Sequence, residues 1–544
     1  MKNHLVLALL LLSTITIAQE TYKVPLGKNV EPVMAGKFQP NWESLSQYVA
    51  PTWFRNAKFG IWAHWGPQCQ PEGGDWYARQ MYVQSNGKYR YHVDKYGHPS
   101  EFGFKDVINE WKAEKWNPEQ LVAFYKKVGA RYFFAMANHH DNLDMWDSKY
   151  QPWNSVNMGP KRDIVAEWAK AAKNNGLPLG LSVHASHAWT WYEFSQQSDT
   201  KGALAGVPYD GKLTKADGKG KWWEGYDPQD LYAQNHPLSE RGGNEGSIHG
   251  QWAWGGGASI PSAAYCDKFY NRTMDLINRY KPDLLYFDDT ALPLYPISPA
   301  GLNIAAHYYN ESMNRHAGQN DAVLFGKVLT EDQKKSIVWD VERGAPDKIQ
   351  EKPWQTCTCI GDWHYEHWRF YNKSYKSPAQ VVHMLVDVVS KNGCLLLNVP
   401  VKGDGSIDSE EIRIMSEIGK WMDVNKESIY ETRPWKVYGE GPVADKANPI
   451  NAQGFNEGGP MSSSDIRFNQ LGKVLYITVM GIPTGAVNVK SCGKTAGLLK
   501  KINKVEMLGS AEKVIWTQND DALALSVPTV MPCQYAVVYK VTTK

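Results

Sequence analysis

The sequence predicts an α/β protein in which a (β/α)8-like TIM barrel is followed by a C-terminal antiparallel β-sandwich. Short, nearly continuous apolar runs recur between residues 58 and 399 and are typical of parallel strands covered on both faces. Stretches with helical spacing separate these runs, and such alternation over about 350 residues indicates a (β/α) barrel. After residue 430 the apolar runs become shorter, alternate with polar residues and are separated by Gly, Asn, Asp or Pro, which favours an antiparallel sandwich.

The chain begins with a predicted signal peptide at residues 1–18. Lys2 supplies a basic start, an apolar stretch follows from Leu5, and small residues precede Gln19, so we expect cleavage after Ala18. The stretch is too short for a membrane-spanning helix, and no other segment has the required apolar length. We therefore expect an exported protein, periplasmic or secreted, with no membrane insertion.

The predicted catalytic barrel domain covers residues 19–432, and the predicted sandwich covers residues 433–544. Barrel strands are expected at 58–65, 131–138, 177–185, 283–289, 322–328, 336–342 and 393–399. A further strand contains Cys357 and Cys359. Helices are expected at 163–175, 267–280, 379–391 and 409–425.

A long insertion at 187–262 has little apolar periodicity. It contains Trp189, Trp191, Trp222, Trp223, Trp252 and Trp254. An irregular segment of this length inside a barrel is uncommon and usually functional. Because it follows a barrel strand, we expect it to overhang the active-site face. We interpret Trp222 and Trp223 as subsites for the substrate beyond the cleaved bond, with a packed lid as the alternative.

The amino-acid composition indicates what kind of molecule the protein binds. The formal net charge of +2 gives no electrostatic footprint of a nucleic-acid or membrane-surface protein. The 23 Trp and 29 Tyr favour sugar binding, because aromatic faces pack against sugar rings. The 7 Cys are few and odd in number, so we expect little or no disulfide framework.

Polar residues suited to catalysis stand at the ends of the predicted strands. They are His64, His139, His140, His184, Asp288 and Glu342. In barrels of this class the strand C-termini and the loops that follow them form the active site. Asp288 is followed by Asp289, and because adjacent like charges disfavour ionisation, such a pair indicates a turn, a metal site or chemistry. Carboxylates at the mouth of an aromatic-rich barrel favour glycoside hydrolysis, which needs a nucleophile or base and an acid around the anomeric carbon.

Five stretches, in this order, resemble the α-L-fucosidases of glycoside hydrolase family 29. They are WFRNAKFGIWAHWG (53–66), NHHDNLDMWDS (138–148), GPKRDIV (159–165), YKPDLLYFDD (280–289) and VVSKNGCLLLNVPVKGDGSI (388–407). The resemblance covers roughly residues 50–435. The combination is specific, although no single stretch is.

The resemblance implies that Asp288 is the nucleophile, because it matches the Asp of a WFDG-like strand end in that family. The family's Gly is Asp289 in this chain, and its Trp is Tyr286. Two roles for Asp289 stay open: capping the next segment or tuning Asp288.

The resemblance implies that Glu342, in SIVWDVERG, is the acid/base, with Glu351 as the second choice. One branch of the family takes its acid from a WE-x-C stretch. Gln355 occupies that place in this chain, and an amide cannot donate and recover a proton as a carboxyl does.

Substrate contacts are assigned to His64, Asp75, Trp76, His139, His140, Tyr286 and Trp354. The histidines are expected to hydrogen-bond sugar hydroxyls, as the resemblance implies. Asp75 stands where the family usually has Glu, so its contact is expected to be altered or water-mediated. Trp76 is expected to stack near the sugar. The implied chemistry needs no metal and no organic cofactor.

The sequence thus predicts a retaining, exo-acting α-L-fucosidase that acts on oligosaccharides or polysaccharides through a covalent intermediate. One alternative is an α-L-galactosidase with the same mechanism. L-Galactose is L-fucose with a hydroxyl on C6, and a sulfated algal galactan is a candidate source of this sugar. A second alternative, motivated by Gln355, is a carbohydrate-binding protein on an inactivated barrel. The linkage, the leaving group and the oligomeric state stay open.

Overall fold

The computed structural model describes residues 22–240, 252, 254, 256–446, 448–450, 454–499 and 501–544. The predicted signal peptide, residues 1–18, lies outside the described residues. Among the helices of the described ranges, none has the length and apolarity needed to cross a membrane.

Eight parallel strands close into a barrel in sequence order, because the last strand pairs with the first as well as with the seventh. The strands are β1 (Phe59–Ala63), β2 (Tyr132–Asn138), β3 (Leu179–Val183), β4 (Leu284–Thr290), β5 (Val323–Lys327), β6 (Val338–Glu342), β7 (Trp354–Cys359) and β8 (Gly393–Asn398). Every residue of β1, β2, β3, β5, β7 and β8 is buried, as expected for strands covered on both faces. The predicted barrel is confirmed.

Helices surround the barrel and fill its connections. They are α1 (Trp42–Leu45), α2 (Thr52–Ala57), α3 (Tyr77–Gln80), α4 (Gly87–Tyr96), α5 (Phe104–Glu110), α6 (Pro118–Val128), α7 (Ile164–Asn174), α8 (Ala188–Trp191), α9 (Pro228–Tyr232), α10 (Ala263–Tyr280), α11 (Ala300–Arg315), α12 (His367–Tyr371), α13 (Pro378–Ser390) and α14 (Ser409–Asn425). Side-chain caps fix several starts: Asp163 caps α7, Ser377 caps α13 and Asp408 caps α14. Helix α10 begins before the predicted residue 267, because the Ser262 side chain accepts a hydrogen bond from the Tyr265 amide.

The C-terminal domain is antiparallel, as predicted. Its strands are β9 (Arg433–Glu440), β10 (Ile466–Leu471), β11 (Val474–Val479), β12 (Val487–Val489), β13 (Ile502–Met507), β14 (Trp516–Gln518), β15 (Leu523–Leu525) and β16 (Val537–Thr543). They form a five-stranded sheet in the order β13-β16-β11-β10-β9 and a three-stranded sheet in the order β12-β15-β14. A separate buried core, which includes Phe468, Ile477 and Leu523, lies within this domain.

A buried ion pair joins the two domains. Arg467 of β10 donates from Nε to the Asp387 carboxylate of α13 at 2.5 Å, and Lys391 contacts the other oxygen of that carboxylate at 2.7 Å. Burial alone would raise the pKa of Asp387, but Lys391 and Arg467 hold it below its usual range. Trp421 of α14 donates to the Ala536 carbonyl at 2.9 Å. These contacts fix the sandwich against the outer helices of the barrel.

The described part of the insertion packs against the barrel, and the subsite interpretation of Trp222 and Trp223 is wrong. Trp223 is only 1% exposed and belongs to the main hydrophobic core. Trp222 packs edge-on against Trp153 and donates from Nε1 to Asp106 at 2.7 Å. Neither side chain lines the cavity described below. Burial in the core stabilises the Trp223 ring, whereas the Trp222 ring stays 40% exposed on the surface.

Polar side chains form a buried layer inside the barrel. Tyr132 Oη donates to Gln355 Oε1 at 3.0 Å, and Gln355 Nε2 donates to Asp340 Oδ1 at 2.9 Å. Cys357 Sγ donates to the other oxygen of Asp340 at 3.1 Å. Burial raises the pKa of Asp340 to about 6. Gln355 is therefore a structural residue of the barrel interior.

We expect Asp340→Asn to stabilise the protein increasingly as the pH rises from about 4 to about 6. The unfolded carboxyl titrates near pH 3.9, whereas the folded one titrates at about 6. In that window the native state binds more protons than the unfolded state, so the stability of the parent protein falls with rising pH. The amide removes this cost, which is about 3 kcal/mol at most.

Melting temperatures of both proteins across this range check the expectation. The exposed Asp94→Asn is the matched control for the loss of one carboxylate. If the melting temperature of Asp340→Asn differs from that of the parent protein by the same amount at every pH, the expectation is wrong.

Candidate active site

A cavity of about 260 Å³ opens at the C-terminal ends of the barrel strands. Its lining includes Asp288 from β4, Lys327 from β5 and Glu342 from β6. The three strands are neighbours, since β5 pairs with both β4 and β6. Parallel pairing, with a register shift in β4 between Tyr286 and Thr290, brings the three side chains to one rim of the barrel.

Asp288 is held by three nitrogen atoms. Lys327 Nζ lies 2.6 Å from Oδ1, while His140 Nε2 and His184 Nδ1 lie 3.2 and 3.3 Å from Oδ2. Burial alone would raise the pKa of Asp288, but Lys327 and the hydrogen bonds from the two imidazoles pull it well below its usual range. The carboxylate is therefore ionised and oriented, as a nucleophile must be.

Asp289 has a different role from its neighbour. Its side chain is 4% exposed and accepts hydrogen bonds from Ser186 Oγ at 2.6 Å and from His187 Nε2 at 3.0 Å. Asp289 also borders the cavity, but its two carboxylate oxygens are engaged by Ser186 and His187. His187 in turn stacks on Trp252 and Trp254 at centroid distances of 4.8 and 4.5 Å. Asp289 thus anchors the part of the insertion that reaches the cavity.

Glu342 faces Asp288 across the ammonium of Lys327. Its Oε2 lies 2.6 Å from Lys327 Nζ, and its Oε1 accepts a hydrogen bond from Trp363 Nε1 at 3.2 Å. Both carboxylates approach the same nitrogen at 2.6 Å, so the two bound oxygens are no more than twice that distance apart. This upper limit is below the roughly 6.5–9.5 Å that separates the carboxyl groups of inverting glycosidases, so the pair fits the closer spacing of retaining enzymes.

Lys327 was not singled out from the sequence. It ends the predicted strand 322–328, so the search for polar strand ends that selected His64 and Asp288 would have found it had cations been included. Burial alone would lower the pKa of Lys327, but Asp288 and Glu342 raise it well above its usual value. The group is a permanent cation between two carboxylates.

Buried imidazoles form the floor of the cavity. His64, His139 and His184 are at most 3% exposed, and burial lowers the pKa of each, to about 4 for His184. Both ring nitrogens of His64 and Nε2 of His184 have no hydrogen-bond partner among the described residues. Neutral rings with open nitrogens can donate to or accept from hydroxyl groups of a ligand.

Two sets of these imidazoles also have the spacing of metal ligands. The ligand atoms of His64, His139 and His364 lie within 4.8 Å of one another, as do those of His139, His140 and His184. Imidazole nitrogens are common ligands of zinc and similar ions. His140 and His184 already contact Asp288, so the first set is the more open of the two.

Aromatic side chains form the walls. Trp76 and Trp252 stack nearly parallel, with centroids 5.8 Å apart and planes at 11°. Asp75 also lines the cavity, and its Oδ1 lies 2.8 Å from His364 Nδ1. The insertion therefore contributes to the site through Trp252, not through the two tryptophans selected from the sequence.

The structure brings together most of the residues selected from the sequence. The cavity is lined by His64, Asp75, Trp76, His139, Tyr286, Asp288 and Glu342. His140 lies just behind this lining and acts on Asp288. Besides Lys327, the sequence reasoning missed Trp363 and Phe455, for which no local pattern gave a signal.

The assignment of Trp354 to the sugar pocket is wrong. Trp354 begins β7 and is 1% exposed; it packs with Val341 and Val388 and donates to the Lys391 carbonyl at 2.9 Å. A strand rises about 3.3 Å per residue, so the first residue of β7 lies at the opposite end of the barrel from the site. Glu351, the second choice for the acid, is exposed and does not line the cavity.

Comparisons with known proteins agree with this geometry. The tissue alpha-L-fucosidase of Rattus norvegicus is 24% identical over 516 residues, which cover 92% of this chain and 90% of that protein. The plasma alpha-L-fucosidase of Homo sapiens is 27% identical over 416 residues, which cover 74% of each. One similar solved structure is the Thermotoga maritima alpha-fucosidase in complex with a mechanism-based inhibitor. It has a TM-score of 0.66 and 24% sequence identity, and the match covers 93% of this chain and 100% of that chain. This similarity supports the fold.

The sequence profile described as Alpha-L-fucosidase matches residues 26–427, which is most of the chain. The matched region contains all eight barrel strands and the carboxylates of the cavity. The chain therefore belongs to the alpha-L-fucosidase family and is a glycoside hydrolase.

Proposed function

We propose that this enzyme removes terminal α-L-fucose from oligosaccharides or polysaccharides with retention of configuration, with Asp288 as nucleophile and Glu342 as acid/base. The observation that carries the proposal is the pair of carboxylates bridged at 2.6 Å each by Lys327 in one cavity. Their short separation leaves no room for the water that an inverting enzyme holds between its carboxylates and the sugar.

In the first step, Asp288 attacks the anomeric carbon while the bond to the leaving oxygen breaks. Its low pKa keeps the carboxylate free of a proton, and His140 and His184 orient it. Glu342 gives its proton to the leaving oxygen, so the departing group leaves as a neutral alcohol. The product of this step is a sugar ester on Asp288.

In the second step, the ionised Glu342 takes a proton from a water molecule that attacks the same carbon. The ester bond to Asp288 breaks and the carboxylate is restored. Two displacements return the original configuration. Lys327 remains close to both carboxylates, so its charge stabilises each in the state in which it is negative.

The shape of the cavity supports exo action. Its floor is closed by imidazoles that are at most 3% exposed, so a sugar can enter only with its free end first. The open nitrogens of His64 and His184 suit sugar hydroxyls, and the faces of Trp76 and Trp252 suit the sugar ring. The same proposal includes export after cleavage of residues 1–18, the predicted signal peptide.

An α-L-galactosidase with the same mechanism is the second candidate. Among the described residues that line the cavity, Val328 is the one aliphatic hydrocarbon side chain, and several buried nitrogens have no partner. Such a pocket offers few apolar contacts to the C6 methyl group of fucose. Its unpartnered nitrogens could instead hydrogen-bond the C6 hydroxyl of L-galactose. The alternative of a carbohydrate-binding protein on an inactivated barrel is based on Gln355. That residue lies in the barrel interior, and Glu342 lines the cavity, so the reason for this alternative no longer applies.

A substrate comparison decides between the two sugars. We expect kcat/KM for an aryl α-L-fucoside to exceed that for the matching aryl α-L-galactoside, by up to about 100-fold, since a pocket for a methyl group rejects a hydroxyl only modestly. A higher value for the galactoside replaces the first candidate with the second. No turnover of either substrate contradicts both.

We expect Asp288→Ala to lose more than about 1,000-fold in kcat, because no covalent intermediate can form. Azide should then enter the vacated space and give a glycosyl azide of inverted, β configuration, identified by NMR. The matched control is Asp289→Asn, which changes the adjacent carboxylate and should cost far less. If Asp288→Ala keeps activity within about tenfold of the parent enzyme, the nucleophile is another residue.

We expect Glu342→Ala to impair a disaccharide substrate much more than an aryl glycoside, because only the poorer leaving group needs a proton. Azide should replace water in the second step: it attacks the anomeric carbon, the ester bond to Asp288 breaks, and the product is a glycosyl azide of α configuration. Glu351→Ala, at an exposed site outside the cavity, is the control. Should the Glu351 variant show this pattern and the Glu342 variant not, the acid/base assignment is wrong.

A further inference from the structure

The connection between β9 and β10 of the C-terminal domain reaches the rim of the active site. Gly454 forms a parallel bridge with Glu342, and the Phe455 amide donates to the Glu342 carbonyl at 2.8 Å. The residue proposed as acid/base therefore has a backbone partner from the other domain.

The contact between Gly454 and Glu342 requires glycine at position 454. A Cβ at Gly454 would stand 2.1 Å from the Glu342 carbonyl oxygen, and the φ of Gly454 is +116°. A residue with a side chain would both clash and be strained at this φ. The close approach of the two backbones is thus built into the sequence of the connection.

Neighbouring side chains fasten the same segment to the barrel loops. Asn456 exchanges two hydrogen bonds of 3.2 Å with the backbone of Ala345, and Glu457 pairs with Lys376 at 3.1 Å. The Thr358 hydroxyl also donates to the Glu457 carboxylate. Residues 454–457 are therefore fixed relative to the cavity on both sides of Phe455.

Phe455 lies between these anchors with its side chain largely open to solvent. The ring is 53% exposed and lines the same cavity as Asp288 and Glu342. Its φ of 57° is a left-handed conformation that is unfavourable for a non-glycine residue. Because its ring is exposed, Phe455 does not contribute to the hydrophobic core, and its strained, anchored backbone must have another role.

The chemistry of the cavity indicates what the ring faces. A general acid must stand beside the glycosidic oxygen, and the leaving group lies on the outer side of that oxygen. The buried imidazoles close the inner end, where the terminal sugar is held. Phe455, next to Glu342 and half-exposed, therefore lies toward the leaving group. A flat ring without polar atoms suits the apolar face of a pyranose.

We propose that residues 454–457 complete the active site and that Phe455 is the platform on which the first sugar of the leaving group stacks. This inference rests on the proposed function and adds a binding site from the C-terminal domain for a saccharide leaving group. It also makes the sandwich a determinant of substrate choice.

The test compares two leaving groups, because only one of them can reach the ring. The substrates are a disaccharide with terminal α-L-fucose and α-L-fucosyl fluoride, whose fluoride places no ring on Phe455. We expect Phe455→Ala to lower kcat/KM for the disaccharide at least tenfold more than for the fluoride. Phe455→Trp should retain most of the disaccharide activity. Tyr371→Ala, an aromatic residue that is 68% exposed and does not line the cavity, is the control and should change neither value.

The outcomes separate the two proposals. A parent enzyme that hydrolyses neither substrate overturns the proposed function and this inference with it. A parent enzyme that hydrolyses both, with a Phe455→Ala variant that loses equally on both, overturns the inference alone. A selective loss on the disaccharide that Phe455→Trp reverses supports it.

Discussion

The ammonium of Lys327 between two carboxylates is the interaction on which the active site depends. Lys327 and Glu342 end β5 and β6, Asp288 lies near the end of β4, and neighbouring strands are about 4.8 Å apart. The cation in the middle strand can therefore touch a carboxylate on each side. Without it, two partly buried like charges would each disfavour the ionisation of the other. The barrel register thus sets both the spacing of the carboxylates and the charge that permits it.

The adjacent carboxylates Asp288 and Asp289 divide two tasks between them. One is directed into the cavity and is held ionised by Lys327 and two imidazoles. The other turns to Ser186 and His187, and through His187 it supports the stack that carries Trp252 into the wall of the cavity.

The C-terminal domain is more than a neighbour of the barrel. A buried ion pair between Arg467 and Asp387 holds it in place, and a connection between two of its strands contacts the backbone of Glu342. A hydrogen bond to the carbonyl of a strand-end residue limits how far that strand end can shift. The geometry of the cavity therefore depends on the docking of both domains.

Local sequence pattern determined the elements of this fold. Apolar runs and helical spacing are properties of consecutive residues, so they identified the barrel strands, the main helices and the antiparallel character of the last domain. Family-specific stretches identified Asp288 and Glu342, because each ends a recognisable strand. Seven of the residues selected for the site line one cavity, since strand C-termini meet at one rim.

The tertiary structure alone decided which side chains meet within that site. The bridge through Lys327, the interior position of Gln355, the location of Trp354 at the far end of β7 and the burial of Trp223 all depend on strand register and packing between distant segments. The approach of Phe455 to Glu342 depends on how two domains dock. These contacts join residues far apart in the chain, and the free energy that fixes them comes from burial and ion pairing in the assembled fold, which no local pattern of residues encodes.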